Sequence, residues 1–159
     1  MSWIKAHWKA LTAALLLLLG AAWYFRPVDI HSLGMGELEA MSVQVMHNIP
    51  GQGVDIVWSA AAVPDDSQWQ PVLEEVERLR FHRTLDNLIR QFWPSDVIKT
   101  KAADRTELYV SLRDQEGREM LLVIGGSRSH YNLENRSFSL FLSGGEDAVQ
   151  ALVRRLQKI

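Results

Sequence analysis

The chain of 159 residues contains no cysteine. A lipobox is therefore absent, and lipoprotein processing is excluded. The lack of cysteine is typical of an exported domain that avoids thiol chemistry, although cytosolic proteins also lack it. Cysteine usage thus agrees with export without deciding the compartment.

Basic residues are missing from a long part of the chain. Between Pro27 and Glu77 the sequence has nine Asp or Glu residues and no Lys or Arg, whereas residues 78–159 have fourteen basic and ten acidic residues. Residues 27–159 therefore set fourteen bases against nineteen acids, a net charge of −5. A nucleic-acid-binding protein needs a net basic surface, so we expect no nucleic-acid partner.

One run of sixteen residues, Ala10 to Phe25, has no charged side chain. A helix that crosses about 30 Å of hydrocarbon needs about 17 to 20 mainly apolar residues, and the eighteen residues 8–25 meet that length. Aromatic residues stand at both ends, where amphipathic rings favour the membrane–water interface. These predicted interface residues are Trp3, Trp8, Trp23 and Tyr24. The sequence predicts a transmembrane anchor over residues 10–26.

The charges around this run predict its orientation. Lys5 and Lys9 precede the run, and only Arg26 follows it directly. The positive-inside rule then places residues 1–9 in the cytoplasm and residues 27–159 outside the cell membrane. We expect a single-pass protein with an extracytoplasmic domain.

A cleaved signal peptide is the alternative to an anchor. The small residues 20–22 would provide a cleavage site, and the protein would then be secreted. After the apolar run, Pro27, glycines and scattered acidic residues predict a stalk over residues 27–40. Residues 41–159 are long enough for one extracytoplasmic domain with one core.

Alternation of apolar and polar residues predicts a mostly antiparallel sheet of about six strands with helices packed on one face, an α+β fold. The predicted strands are 41–46, 54–60, 108–112, 120–124, 129–133 and 137–142, and the predicted helices are 71–79, a short one over 85–92, and 148–156. Ser143 and Glu146 have the spacing of a capping box before the last helix. Residues 80–84 predict a break, with one continuous helix to Phe92 as the alternative.

No pattern in the chain predicts a catalytic, cofactor or metal site. The five histidines lack the short spacings of a zinc site. Gly125 and Gly126 are not followed by the Lys-Ser/Thr of a P-loop, and no G-x-S-x-G motif supplies a nucleophile. We therefore expect no cofactor, no metal, no nucleotide and no catalytic residue.

A group of basic and aromatic residues is the strongest candidate for binding a partner. It comprises Arg80, His82, Arg83 and Trp93. Arg and Trp are favoured at binding hot spots, so the group predicts a surface for an anionic or protein partner. The alternative is structural, with the basic side chains paired to the acidic half and Trp93 packed in the core.

In layout, the chain resembles small, uncharacterised membrane-anchored extracytoplasmic proteins of Gram-positive bacteria. The shared features are an N-terminal apolar run, a strand pair, a helix with an acidic start at 71–79, an Arg-containing stretch at 80–83, a hairpin at 108–124 with the acid-x-x-Gly turn Asp114–Gly117, a further strand pair and a terminal amphipathic helix. The resemblance covers most of residues 41–159. It implies no activity and no functional residues.

Together these patterns predict a membrane-anchored, non-catalytic interaction or sensing module. Its expected partners are the membrane, through the N-terminal helix, and an envelope protein. A small envelope hydrolase that uses His82 and dispersed carboxylates is one alternative. An immunity-type inhibitor of an envelope-acting toxin is another, and it would present an acidic face on residues 27–77 to a basic partner.

Overall fold

The computed structural model describes residues 2–49, 51–85, 105–125, 128–133 and 136–159. Within these ranges the chain forms three helices and seven strands. In chain order they are α1 (Ser2–Tyr24), β1 (Leu38–Ile49), β2 (Gly53–Ala62), α2 (Trp69–Glu77), β3 (Phe81–Arg83), β4 (Arg105–Asp114), β5 (Glu119–Gly125), β6 (Arg128–Leu133), β7 (Arg136–Leu142) and α3 (Gly145–Leu156). The predicted α+β class is confirmed.

The seven strands form one sheet in the order β2-β1-β4-β5-β6-β7-β3. Every neighbouring pair is antiparallel. The prediction of about six strands is corrected by β3, which occupies three residues inside the stretch 80–84 where the sequence predicts only a break. A run of three residues carries too little alternation to reveal a strand. The predicted short helix over 85–92 lies, after its first residue, outside the described residues.

The two edges of the sheet differ. β2 lies at one edge, where the side chains of Val54, Ile56 and Val57 are exposed. β3 lies at the other edge, where Val28 and Phe81 exchange two backbone hydrogen bonds of 2.8 and 2.9 Å. Val28 therefore occupies the outer side of β3, while β2 has only β1 as a strand neighbour in the described part of the chain.

The core lies between the helices and one face of the sheet. Val43 and Val45 of β1 and Leu108 and Val110 of β4 are fully buried, as the predicted alternation requires. The helices α2 and α3 contribute a buried apolar stripe each, formed by Val72, Val76, Val149, Leu152 and Leu156. Full burial of one such side chain contributes about 1.5 to 3 kcal/mol, so these stripes hold the helices on the sheet.

Residues 27–40 pack into the domain, which corrects the predicted stalk. Ile30, Leu33 and Met35 are at most 5% exposed, and Val28 and Leu38 are buried with them in the same core. Apolar residues recur here at every second or third position. The glycines and acidic residues between them give the segment the composition of a linker, although its alternate side chains are core residues.

The hairpin between β4 and β5 turns at Asp114–Gly117, as predicted. The buried carboxylate of Asp114 accepts hydrogen bonds from the backbone N–H groups of Gly36 (3.0 Å) and Arg118 (2.9 Å) and from the Arg118 guanidinium (2.8 Å). Burial acts to raise the pKa of Asp114, but these donors outweigh burial and hold the pKa below its usual range. One carboxylate thus ties the hairpin turn to the buried segment before β1.

The helix α1 extends for 23 residues, and its side chains from His7 to Trp23 are exposed. Leu17 and Leu18 are the most exposed of its leucines, at 75% and 68%. Among the residues that the structure describes, no helix has both the length and the apolar character of a candidate membrane span.

Candidate functional site at the junction of helix α1 and the sheet

The C-terminal end of α1 is fastened to the edge of the sheet. The Tyr24 hydroxyl donates a hydrogen bond to the Thr84 carbonyl oxygen at 3.2 Å. His82 Nδ1 lies 3.0 Å from the carbonyl oxygen of Phe25. Three residues after Phe25, Val28 begins the buried segment. The helix therefore joins the domain through side-chain contacts as well as through the chain itself.

His82 links three parts of the fold. Because the Phe25 carbonyl oxygen can only accept, His82 Nδ1 carries the proton of that hydrogen bond. In the neutral imidazole, Nε2 is then an acceptor, and the Ser143 hydroxyl, at 3.0 Å, donates to it. The chain of contacts runs from the end of α1, through β3, to the turn that leads into α3.

The position of Ser143 differs from its predicted role as a helix cap. The residue that precedes α3 is Gly144, with a φ of +85°, and no side chain caps the helix. A left-handed backbone at this point is open to glycine at little strain. Ser143 is therefore displaced from the cap position, and its hydroxyl is directed to His82.

Two arginines surround the end of α1, each beside an aromatic ring. The guanidinium carbon of Arg26 lies 5.3 Å from the centre of the Trp23 ring, and that of Arg83 lies 5.8 Å from the centre of the Tyr24 ring. Both distances are within the range of a cation–π interaction. Arg83 also donates a long hydrogen bond of 3.4 Å to the Ser32 carbonyl.

The structure places part of the predicted binding group at this junction. His82 and Arg83 belong to β3 and contact the end of α1. Arg80 turns away, because its guanidinium donates to the carbonyl oxygens of Glu77 and Leu79 at the C-terminal end of α2. Trp93 lies outside the described residues.

The predicted interface aromatics also differ in their exposure. Trp8 and Trp23 are exposed on α1, and Tyr24 is partly buried at its junction with the sheet. Trp3 belongs to α1, but its side chain lies outside what the structure describes. Phe25, Thr84 and Ser143 were not predicted as site residues, and no local pattern indicates them, since Ser143 is 61 positions from its partner His82.

A second pair links the buried segment to α2. His31 Nε2 lies 3.3 Å from a carboxylate oxygen of Glu77, and His31 Nδ1 lies 3.2 Å from the Met35 carbonyl oxygen. Burial acts to lower the pKa of His31, but the hydrogen bonds to Glu77 and Met35 outweigh it and raise the pKa. The imidazolium form is therefore favoured at this position.

The face of the sheet opposite the core carries a broad, open groove of about 1070 Å³. A row of polar side chains crosses it, since Ser42 pairs with Ser111 on the neighbouring strand, and Asn132 pairs with Ser137 farther along. Leu121 lies between the two pairs. Hydroxyl and amide groups at this spacing can exchange hydrogen bonds with a polar ligand or partner.

The two arginines that line this groove, Arg113 and Arg118, form ion pairs. Arg113 lies 3.4 Å from the Glu39 carboxylate, and the Arg118 guanidinium contacts Asp114 and Glu116 at 2.8 and 3.2 Å. Within the described ranges, no group of three or more His, Cys, Asp or Glu residues is arranged to hold a metal ion.

Comparisons of the chain with protein-family models, with curated proteins and with solved structures give no match.

Proposed function

We propose that this protein is a membrane-attached interaction module whose helix α1 is embedded in a lipid bilayer. The observation that carries the proposal is the exposure of apolar side chains around the whole circumference of α1. The rest of the domain covers none of them between Leu11 and Trp23.

The five consecutive leucines 15–19 favour contact of α1 with lipid over contact with a protein partner. Successive residues in a helix are rotated by about 100°, so five of them reach every side. All five are exposed, by 56% to 75%. A partner helix covers one stripe, whereas lipid surrounds a helix that is apolar on all sides. Water contact with these side chains would be unfavourable by about 25 cal/mol per Å² of apolar area.

Insertion of α1 requires a contribution from its ends, because its uncharged part alone is shorter than the hydrocarbon core. The sixteen uncharged residues 10–25 extend about 24 Å at 1.5 Å per residue, less than the roughly 30 Å of the hydrocarbon core. The stem of Lys9 is apolar, and its ammonium can reach the headgroups from within the membrane edge. Trp8 and Trp23, both exposed, have the position of interfacial aromatics.

With this attachment, we propose that residues 1–9 lie in the cytoplasm and that the domain lies outside. Lys5 and Lys9 precede the apolar run, and Arg26 alone follows it. The groove on the open face of the sheet is then the surface for an envelope partner. Its polar row supports recognition of a polar surface, and the charges of Arg113 and Arg118 are offset by their carboxylate partners.

Membrane attachment is tested with the full-length protein in cells. We expect the wild type to stay with the membrane fraction after an alkaline carbonate wash. Replacing two leucines, Leu15→Arg with Leu18→Arg, should release it, because a central arginine disfavours insertion by about 2.5 to 3.5 kcal/mol. Val57→Arg, also at an exposed apolar position but on β2, is the matched control and should stay bound. Wild-type protein in the soluble fraction would contradict the proposal.

Orientation can be measured separately because the chain has no native cysteine. One cysteine is introduced at Ser2 or at Gln52, in the turn between β1 and β2. A membrane-impermeant maleimide applied to intact cells should label Gln52→Cys and leave Ser2→Cys unlabelled until the cells are opened. The reverse pattern would invert the proposed topology, and labelling of both in intact cells would indicate release from the cell.

The contact between Ser143 and His82 favours one second candidate, an esterase-type hydrolase. The Ser143 hydroxyl donates to His82 Nε2, the arrangement of a nucleophile and its general base. In such a reaction Ser143 Oγ bonds to an ester carbonyl carbon while its proton passes to His82. His82 then protonates the departing alkoxide, and water releases the acid from Ser143.

This candidate ranks second because His82 Nδ1 faces the neutral carbonyl of Phe25. A carboxylate at that position would stabilise the imidazolium that the reaction forms. Labelling with a fluorophosphonate probe tests this candidate. If the protein is a hydrolase, the probe should label the wild type and should not label Ser143→Ala. Ser137 is an exposed serine of β7, so the control Ser137→Ala should still be labelled. Equal labelling of all three, or none, excludes it.

A further inference from the structure

We infer that Arg26 and Arg83 form a binding site for the phosphate of anionic phospholipid headgroups, at the level where α1 meets the domain. The inference rests on the proposed membrane attachment and adds to it a preference for one class of lipid. It follows from the contacts of the two guanidinium groups and from their place on the molecule.

The first step concerns how the two guanidiniums are held. Arg26 lies against the Trp23 ring and Arg83 against the Tyr24 ring. A guanidinium stacked on a ring keeps its N–H groups in its own plane, where they remain available as donors. Arg83 uses one of them on the Ser32 carbonyl, in a hydrogen bond of 3.4 Å. The planar fork of each group suits bidentate contacts with phosphate oxygens.

The second step concerns their charge. Arg78, Arg113, Arg118 and Arg155 each lie within 4.0 Å of a carboxylate. Among the described residues, no carboxylate lies within that distance of Arg26 or Arg83. Within the described part of the domain, these two positive charges are therefore not neutralised.

Nearby acids have partners of their own. Asp29 accepts a hydrogen bond from the Ser32 backbone N–H at 2.9 Å, and this donor is the main reason that the pKa of Asp29 is lowered. Glu77 is paired with His31. Arg80 is excluded from the proposed site, because its guanidinium donates to backbone carbonyls at the end of α2.

The third step concerns depth. Trp23 and Tyr24 end the apolar helix, and such rings lie at the headgroup level of a bilayer. The arginines beside them are then at the depth of the lipid phosphates. The whole chain carries a net charge of −2, so overall charge gives no attraction to an anionic surface. On the side of the membrane that carries the domain, a preference for anionic lipid would have to arise from this local pair, since residues 27–159 have a net charge of −5.

The experiment measures partitioning of the full-length protein, transferred from dilute detergent, onto vesicles. One set is phosphatidylcholine alone, and the other contains about one third phosphatidylglycerol, an anionic lipid. Flotation gives the bound fraction for the wild type, for Arg26→Gln with Arg83→Gln, and for the control Arg113→Gln with Arg154→Gln. The control removes the same charge from exposed arginines away from the junction.

We expect the wild type and the control to bind both vesicles and to prefer the anionic ones by about fivefold for each junction arginine. The preference should shrink as salt is added. The contribution of the two arginines, about fivefold for each, should be lost in the Arg26→Gln, Arg83→Gln variant, which keeps Lys5 and Lys9, while binding to phosphatidylcholine is unchanged. Arg26→Lys with Arg83→Lys keeps the charge and should retain most of the preference.

Each other outcome overturns a different statement. Failure of the wild type to float with either vesicle overturns the proposed membrane attachment. Binding without preference, or a preference that the glutamine variant keeps undiminished, overturns only the headgroup site. If inorganic phosphate abolishes the preference at an ionic strength at which chloride does not, the site recognises free phosphate, and the assignment to a lipid is wrong.

Discussion

Arg155 of α3 reaches Glu75 of α2, with its Nε 2.8 Å from the Glu75 carboxylate. Glu75 is buried, and its other oxygen lies 2.8 Å from Arg78 of its own helix. Two arginines thus flank one buried carboxylate, and one of these ion pairs joins the two helices that cover the sheet.

Replacing Arg155 with methionine should therefore destabilise the fold by about 1 to 2 kcal/mol, since a buried carboxylate loses one of two partners. The measurement is urea unfolding of the full chain in detergent. Arg154→Met is the control, because Arg154 is exposed and bonds only to the Gln150 carbonyl of its own helix. Equal stability of the two variants would show that the contact between the helices contributes nothing.

Asp114 should make the fold sensitive to acid. The pKa of Asp114 is lower in the folded protein than in the unfolded chain, where it is near 3.8. Asp114 therefore stabilises the fold at pH values above the unfolded pKa, and this stabilisation is lost as the pH falls through the folded pKa. In thermal unfolding scans from pH 6 down to about pH 3, Asp114→Asn should be less stable than the wild type at pH 6. The difference between them should narrow toward acid. Glu119→Gln, at an exposed position of β5, is the matched control.

His31 should make the stability depend on pH in the opposite direction, with stability lost as the pH rises. Its folded pKa is raised, so its stabilisation is fully present below the unfolded pKa of 6.5 and is lost as the pH rises through the folded value. His31→Gln should remove the fall in melting temperature that the wild type shows from about pH 6 to pH 8. His47→Gln is the control, as His47 lies on the neighbouring part of the sheet with its Nδ1 3.4 Å from the Thr106 hydroxyl. A fall that His31→Gln retains would assign the titration to another group.

Phe81→Ala tests whether the short strand β3 holds the segment before β1 in the core. Phe81 is fully buried and exchanges backbone hydrogen bonds with Val28. Loss of its ring should destabilise the fold by about 3 to 5 kcal/mol. Phe141 on the adjoining strand is 43% exposed, so Phe141→Ala should have a much smaller effect. Limited proteolysis after residue 26 should accelerate only in the Phe81 variant.

The sequence predicted those parts of the fold whose signals are local. Alternation in β4 and β5 and the turn at Asp114–Gly117 are properties of adjacent residues, and the structure confirms them. The stripe of α3, with Val149, Leu152 and Leu156, is equally local. Such patterns arise because one face of each element must be apolar.

The remaining features depend on contacts between distant parts of the chain. Val28 pairs with Phe81, and Gly36 with Asp114, so the segment 27–40 is a core element only in the presence of strands that follow it. The junction of His82 with Phe25 and Ser143 has the same origin. Residue type alone indicated His82 and Arg83 as candidate binding residues. Only the order of the strands in the sheet shows which residues they contact.

The unequal edges of the sheet limit how copies of this chain can associate. A strand can add to β2, which has one side without a neighbour in the described part of the chain. At the other end Val28 already takes the hydrogen bonds of Phe81, and β3 is only three residues long. Two copies joined through β2 would expose only the two blocked ends. In the described part of the chain, edge-to-edge growth beyond a pair is therefore disfavoured.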